Sequence, residues 1–150
     1  RVDAQLATSD PDIFAIGDVA LHPNAWGNRE MRLESVQNAT DQARALARTL
    51  SGTPTRYDAL PWFWSDQGDL KLQMVGLMDK AETFVTRGDP AARAFSVFGF
   101  AGGRLVAVES VNKPGDHMLA RKLIGAGVAV TPEQAGDAAF DLKALAKAAA

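Results

Sequence analysis

The sequence predicts an α+β protein in two parts: the end of an α/β domain, then a small α+β domain whose antiparallel sheet is flanked by helices. Three observations carry this. A short apolar run followed by one long helical pattern fills the first third of the chain. A turn-rich connector, Gly52 to Pro61, then interrupts the texture. Beyond it come several strand patterns in succession, joined by short turns, and finally helical patterns. The expected division is therefore residues 1–53 and 54–150.

Each element has its own reason. After the turn signal Ser9-Asp10-Pro11-Asp12, the run Ile13-Phe14-Ala15-Ile16 reads as a buried strand that ends by presenting Gly17 and Asp18. From Glu34 to Leu50 the residues Val36, Ala39, Ala43, Leu46, Ala47 and Leu50 recur at helical spacing. Ser35 or Asn38 stands near the start, and Ser51-Gly52 supplies the stop. Leu70 to Gly76 and Thr83 to Arg87 are candidate strands. Ala94 to Phe100 and Arg104 to Val111 form a hairpin pattern around Ala101-Gly102-Gly103. Pro114 opens a helix running to about Ile124, with Met118, Leu119, Leu123 and Ile124 near one face and Gly125 or Gly127 as its stop. Thr131-Pro-Glu-Gln134 matches a capping box, and Asp141 is placed to cap a last short helix.

Composition removes several classes of function. The chain has 150 residues, 47% hydrophobic and 23% charged, enough for one ordinary core or pieces of two. Sixteen basic against eighteen acidic side chains give a net charge of −2, which is not the field of a nucleic-acid binder. With no cysteine there is no disulfide, zinc-thiolate or iron–sulfur ligation and no thiol nucleophile, and no metal-ligating cluster is read in its place. No run approaches a membrane span and the start has no apolar secretory region, so a cytoplasmic protein without a membrane partner is expected. The opening Arg1-Val-Asp lacks an initiator Met and enters in mid-pattern, as an excised piece would.

A carboxylate at the end of a buried strand can accept hydrogen bonds from ribityl or ribose hydroxyls, and a glycine before it lets the backbone approach a ligand. By itself Gly17-Asp18 also fits a plain turn. The longer string Thr8-x5-Phe14-Ala15-x-Gly17-Asp18 resembles the second flavin-contacting motif of the FAD-dependent pyridine-nucleotide oxidoreductases. Sixteen residues beyond Asp18 stands Glu34-Ser-Val-Gln-Asn-Ala39, followed by Pro61-Trp-Phe-Trp-Ser-Asp-Gln67, Phe95-Ser-Val-Phe98 and Val111-Asn-Lys-Pro114. Together these resemble the ferredoxin reductases that serve bacterial Rieske-type oxygenases and cytochromes P450, over about Thr8 to Leu142.

The resemblance implies an enzyme that takes a hydride from NADH or NADPH onto FAD and passes electrons singly to a 2Fe–2S ferredoxin. It also implies a cofactor set of Gly17, Asp18, Ser35, Val36, Gln37 and Trp64. Asp18 would hold the ribityl chain, and the amides opening the long helix would lie by the pyrimidine end of the flavin, where reduction deposits negative charge. Trp64 would lie against the ring, Trp62 would face the partner, and Phe63 is left to the core. Arg44 and Arg48 would meet the acidic ferredoxin, extended by Arg29 and Arg32. Five arginines against three acids between Arg29 and Arg56 make that segment +2. Local pairing along a solvated helix face is the plainer reading of the same arginines. No side chain of this chain is assigned a catalytic role. Neither strand–GxGxxG–helix unit is present, so residues 1–53 are expected to be the end of an FAD domain, inactive alone. A homodimer is compatible with the family. A stand-alone interaction module of the same fold, without redox chemistry, is the alternative.

The remaining candidates are structural. His22 and His117 lack ligand-spaced companions and are expected at the surface or in caps. Met74, Met78 and Met118 read as core filler, and Gly125-Ala126-Gly127 as a helix stop.

Overall fold

Backbone pairing and a buried polar face, more than apolar stripes, organise the first part of the chain. The computed structural model describes residues 1–148 and separates into two compact units, Arg1–Phe63 and Trp64–Ala150. The break lies ten residues beyond the expected 53/54 boundary, because the connector is fastened to the first unit. The amide of Tyr57 donates to the Ala4 carbonyl at 2.8 Å, and its ring is buried with Val2, Leu6, Ala20 and Ala45.

The first unit contains β1 (His22–Asn24), β2 (Arg29–Met31) and α1 (Val36–Leu50), with a single 3-10 turn at Gly17–Val19. The short strands pair antiparallel, His22 opposite Met31. Neither was legible as a strand in the sequence. The run Ile13–Ile16, expected as a buried strand, makes only one antiparallel bridge, Ala7 with Phe14, and Ile13 is 55% exposed. A strand needs a ladder of partners, and Leu6 to Thr8 offers only two bonds, Thr8 N–H to Ile13 O at 2.9 Å and Ala15 N–H to Leu6 O at 3.2 Å.

Helix α1 starts where expected: the Ser35 hydroxyl accepts from the Asn38 amide at 3.1 Å, closing the N-cap. Its buried face differs from the expected one. Val36 and Leu50 are each 65% exposed, whereas Gln37, Asn38, Gln42 and Ala45 are buried. Alanines at helical spacing carry too little apolar area to choose the inward face, about 0.8 kcal/mol per buried methylene-sized group, so the hydrogen bonds made by the amide side chains of Gln37, Asn38 and Gln42 choose it.

The rest of the chain is built on a five-stranded antiparallel sheet, whose first strand starts two residues before the second unit: β3 (Trp62–Gln67), β4 (Leu70–Gly76), β5 (Thr83–Asp89), β6 (Ala94–Ala101) and β7 (Arg104–Val111), in the order β3-β4-β7-β6-β5. The hairpin and both single strands read from the sequence are all present. β3 was not foreseen. Its alternation puts Trp62 and Trp64 on one face and Phe63 on the other, and Phe63, expected in the core, is exposed. Helix α2 (Pro114–Gly125) packs on β4 and β7, α3 (Pro132–Gly136) on β5, and α4 (Leu142–Ala148) on α2. The Thr131–Gln134 capping box forms as predicted, and the Asp141 carboxylate accepts from the Lys143 amide at 2.9 Å. Phe98, Phe100, Val75, Val108 and Leu123 form the core. Met74 and Met78 are half-buried; Met118, also expected inside, is 52% exposed because α2 turns Leu123 and Ile124 to the sheet instead. Gly76 sits at φ +76°, where a Cβ would come within 2.0 Å of the Val106 carbonyl, so β4 ends against β7 only with glycine there. Among the described residues no helix is long and apolar enough to cross a membrane.

Both histidines contradict their expected surface placement: each is 1% exposed. Burial lowers the pKa of His22, against a smaller opposing pull from the Ala20 carbonyl. It lowers that of His117 too, with the nearby Arg121 charge acting in the same direction. Both imidazoles are thus held neutral in the fold, while the unfolded chain takes protons near the ordinary 6.5. Stability is therefore full above pH 6.5 and falls as pH drops below it, by up to about 1.4 kcal/mol per pH unit for each histidine. Urea unfolding between pH 7.5 and 5.5 measures this slope, and His22→Gln and His117→Gln should each flatten it.

Candidate functional site

The Gly17–Asp18 turn and the opening of α1 lie against each other within the first unit. Gly17, at φ +76°, is buried, and a Cβ built on it would touch the Ala39 side chain at 3.7 Å. Its N–H donates to Gln42 Oε1 at 2.7 Å, so the turn is bonded to the second turn of the helix. Asp18 follows, with its carboxylate exposed. The first amides of a helix have no intrahelical acceptor. The Ser35 hydroxyl takes that of Asn38 and the Ser35 carbonyl that of Ala39, while the Val36 and Gln37 amides stand in the first turn, without an intrahelical acceptor, at the positive end of the helix dipole.

Five of the expected cofactor residues are brought together in this way: Gly17, Asp18, Ser35, Val36 and Gln37. They differ in what they offer. Ser35 spends its side chain on the cap. The buried Gln37 side chain donates to Asp41 at 2.7 Å and accepts from the Trp62 amide at 3.3 Å, so only its backbone remains available. Trp64 belongs to the second unit, on β3, with its indole 38% exposed. Of the partner candidates, Arg44 is exposed and makes an i, i+3 ion pair with Asp41 at 3.1 Å, the local pairing that competes with partner binding. Arg48 is exposed in the last turn of α1, and Trp62 is half-buried at the start of β3.

Beneath the turn lies a polar cluster absent from the expectations drawn on sequence. Gln42 Nε2 stands 3.3 Å from His22 Nδ1, the imidazole meets the Tyr57 ring edge-on at 5.3 Å, and the Tyr57 hydroxyl donates to Asn38 Oδ1 at 2.9 Å. Burial pushes the Tyr57 phenol up to about 12, so it stays a hydrogen-bond donor. Three amide side chains at 37, 38 and 42 on one helical face were the available signal. A cavity of about 340 Å³ in the second unit, beside Arg87, Asp116, Lys122 and Phe140, contains none of the expected site residues.

Tyr57→Phe should cost about 1–3 kcal/mol by stranding the buried Asn38 carbonyl. Denaturant midpoints of the two proteins check it.

Two family models match in sequence order. Residues 1–43 match the model described as pyridine nucleotide-disulphide oxidoreductase and residues 62–146 the one described as reductase C-terminal. Rhodocoxin reductase from Rhodococcus erythropolis is 55% identical over 142 residues, covering 95% of this chain and 33% of that protein. The crystal structure of a ferredoxin reductase for the CYP199A2 system from Rhodopseudomonas palustris superposes with a TM-score of 0.92 at 54% identity, over 99% of this chain and 36% of that one. A covalent putidaredoxin reductase–putidaredoxin complex superposes at 0.91 with 40% identity, again over 99% of this chain and 36% of the other. The chain thus spans about a third of the length of these relatives.

Proposed function

Since the chain belongs to the reductase C-terminal family, preceded by the end of a pyridine nucleotide-disulphide oxidoreductase region, we propose that it is the C-terminal third of a flavoprotein reductase. That enzyme transfers electrons from NADH or NADPH through FAD to a 2Fe–2S ferredoxin serving an oxygenase or P450, in the cytoplasm. The observation that carries this reading is the Gly17–Asp18 turn bonded against an open helix N-terminus.

The donor set fits FAD. Asp18 offers a carboxylate acceptor to ribityl hydroxyls, and the positive φ of Gly17 lets the backbone come close without a side chain. The Val36 and Gln37 amides offer two donors to an oxygen or nitrogen that gains negative charge. FAD, when bound, supplies the conversion of a two-electron hydride into single electrons, for which no side chain here is an alternative. The protein's part is to orient and stabilise. Ser35 holds the helix start in register and Gln37 fixes the Trp62 backbone.

For the partner, the covalent putidaredoxin reductase–putidaredoxin complex supports a ferredoxin; its acidic surface and 2Fe–2S group are part of the proposal. Arg44, Arg48 and Trp62 are the residues assigned to it. Arg44 would exchange its exposed Asp41 pair for the partner's carboxylates at little cost, since exposed pairs are worth about 0–1 kcal/mol.

In the full-length reductase, Asp18→Ala should raise the FAD dissociation constant about 10- to 100-fold, the loss of a charge-assisted hydrogen bond. Flavin fluorescence titration reads it, and a wild-type protein that takes up no FAD would sink the proposal. Arg44→Glu with Arg48→Glu should raise the KM for ferredoxin about tenfold at low salt and flatten its salt dependence, with NAD(P)H oxidation by a small-molecule acceptor unchanged.

A further inference from the structure

Gln42 is wholly buried, and its two ends do different things. A backbone N–H can only donate, so the 2.7 Å contact with Gly17 fixes the carbonyl end of the carboxamide toward the turn. The –NH2 end is thereby turned to His22 Nδ1, 3.3 Å away, and a hydrogen bond forms there when Nδ1 accepts. That selects the neutral imidazole with its proton on Nε2. The reverse tautomer, or the imidazolium, would set N–H against N–H. The chain of consequence therefore runs from the imidazole through the carboxamide to the amide of the glycine that precedes Asp18. Tyr57 holds the imidazole edge-on and is itself held by Asn38, one turn before Gln42 on the same helix.

We propose that Gln42 is a positioning residue for the flavin, presetting the Gly17–Asp18 turn for the ribityl chain, with His22 as the group that locks its orientation. This rests on the flavin reading above. Asp18 reaches a ribityl hydroxyl only while the preceding glycine keeps its positive φ, and the bond to Gln42 is the side-chain contact that holds that peptide. Gln42 touches no substrate atom. Its contribution is the geometry of its neighbour.

Three measurements on the full-length protein test the assignment. In the wild type, imidazole ¹⁵N shifts should show His22 as the Nε2–H tautomer; an Nδ1–H tautomer overturns the proposal whether or not any variant folds. Gln42→Met removes both bonds at similar volume, and should speed Gly17 amide exchange and raise the FAD dissociation constant, each at least tenfold. Gln42→Glu keeps an acceptor for Gly17 and should stay within about threefold of wild type on both readouts, while His22 takes on an imidazolium signature. A merely space-filling role would instead rank Met above Glu. Unchanged FAD binding in a folded Gln42→Met protein overturns the Gln42 assignment alone, whereas absence of FAD uptake by the wild type takes down the flavin reading with it.

Discussion

The hydrogen bond from the Gly17 amide to the buried Gln42 carboxamide is the constraint on which the first unit depends. It joins a turn with an unusual backbone to a helix with little apolar surface to bury. Without it the helix would have only small side chains to seat against the turn, and the turn would have a buried donor with no acceptor. An unmade bond of this kind costs about 1–3 kcal/mol, comparable to the whole apolar contribution of a few alanines. One interaction therefore serves folding and site geometry together, and a change at position 42 acts on both.

The two units solve the same problem by opposite means. In the second, Phe98, Phe100, Val75, Val108 and Leu123 interlock between sheet and helix, and polar bonds are an addition. The Ser96 hydroxyl, beneath the first turn of α2, donates to Asp116 at 2.9 Å and fixes how that helix enters the sheet. In the first, Asn38, Gln42, His22 and Tyr57 occupy the interior beside Val2 and Leu6. A hydrogen-bonded polar interior is specific in geometry and sensitive to protonation, and here it leaves Asn38 Nδ2 and His22 Nε2 buried without a hydrogen-bond partner among the described residues. Such an interior suits the task proposed for this unit, the presentation of a carboxylate and two amides in a fixed relation.

Within the first unit, the start of α1 also holds the backbone of Trp62, the first residue of β3. The Gln37 side chain accepts from the Trp62 amide and donates to Asp41, while Asp41 pairs with Arg44. A residue at the second helical position, one of an expected flavin-facing group, thus spends its side chain on fastening the first residue of that strand. Its backbone N–H alone is left for a ligand. The helix start thereby separates into side chains that build and amides to which the proposed ligand contacts are assigned.

The sequence alone determined the elements whose signals are local. Strand-forming runs bounded by turn residues gave β4 to β7, since β5, β6 and β7 each lie beside a neighbour in sequence, although β4 pairs with β7 across the chain. Serine, threonine and aspartate at helix starts gave the caps of α1, α3 and α4, because a cap closes within four residues. The motif string through Gly17-Asp18 was also local, and with it the family. What the tertiary structure decided depends on partners distant along the chain. His22 and Gln42, twenty residues apart, cannot announce their contact, and burial of His22 follows from Tyr57 arriving from beyond the helix. The inward face of α1 was misread for the same reason. Alanine periodicity leaves the choice of face nearly degenerate in free energy, and the amide partners that break the tie exist only in the folded chain.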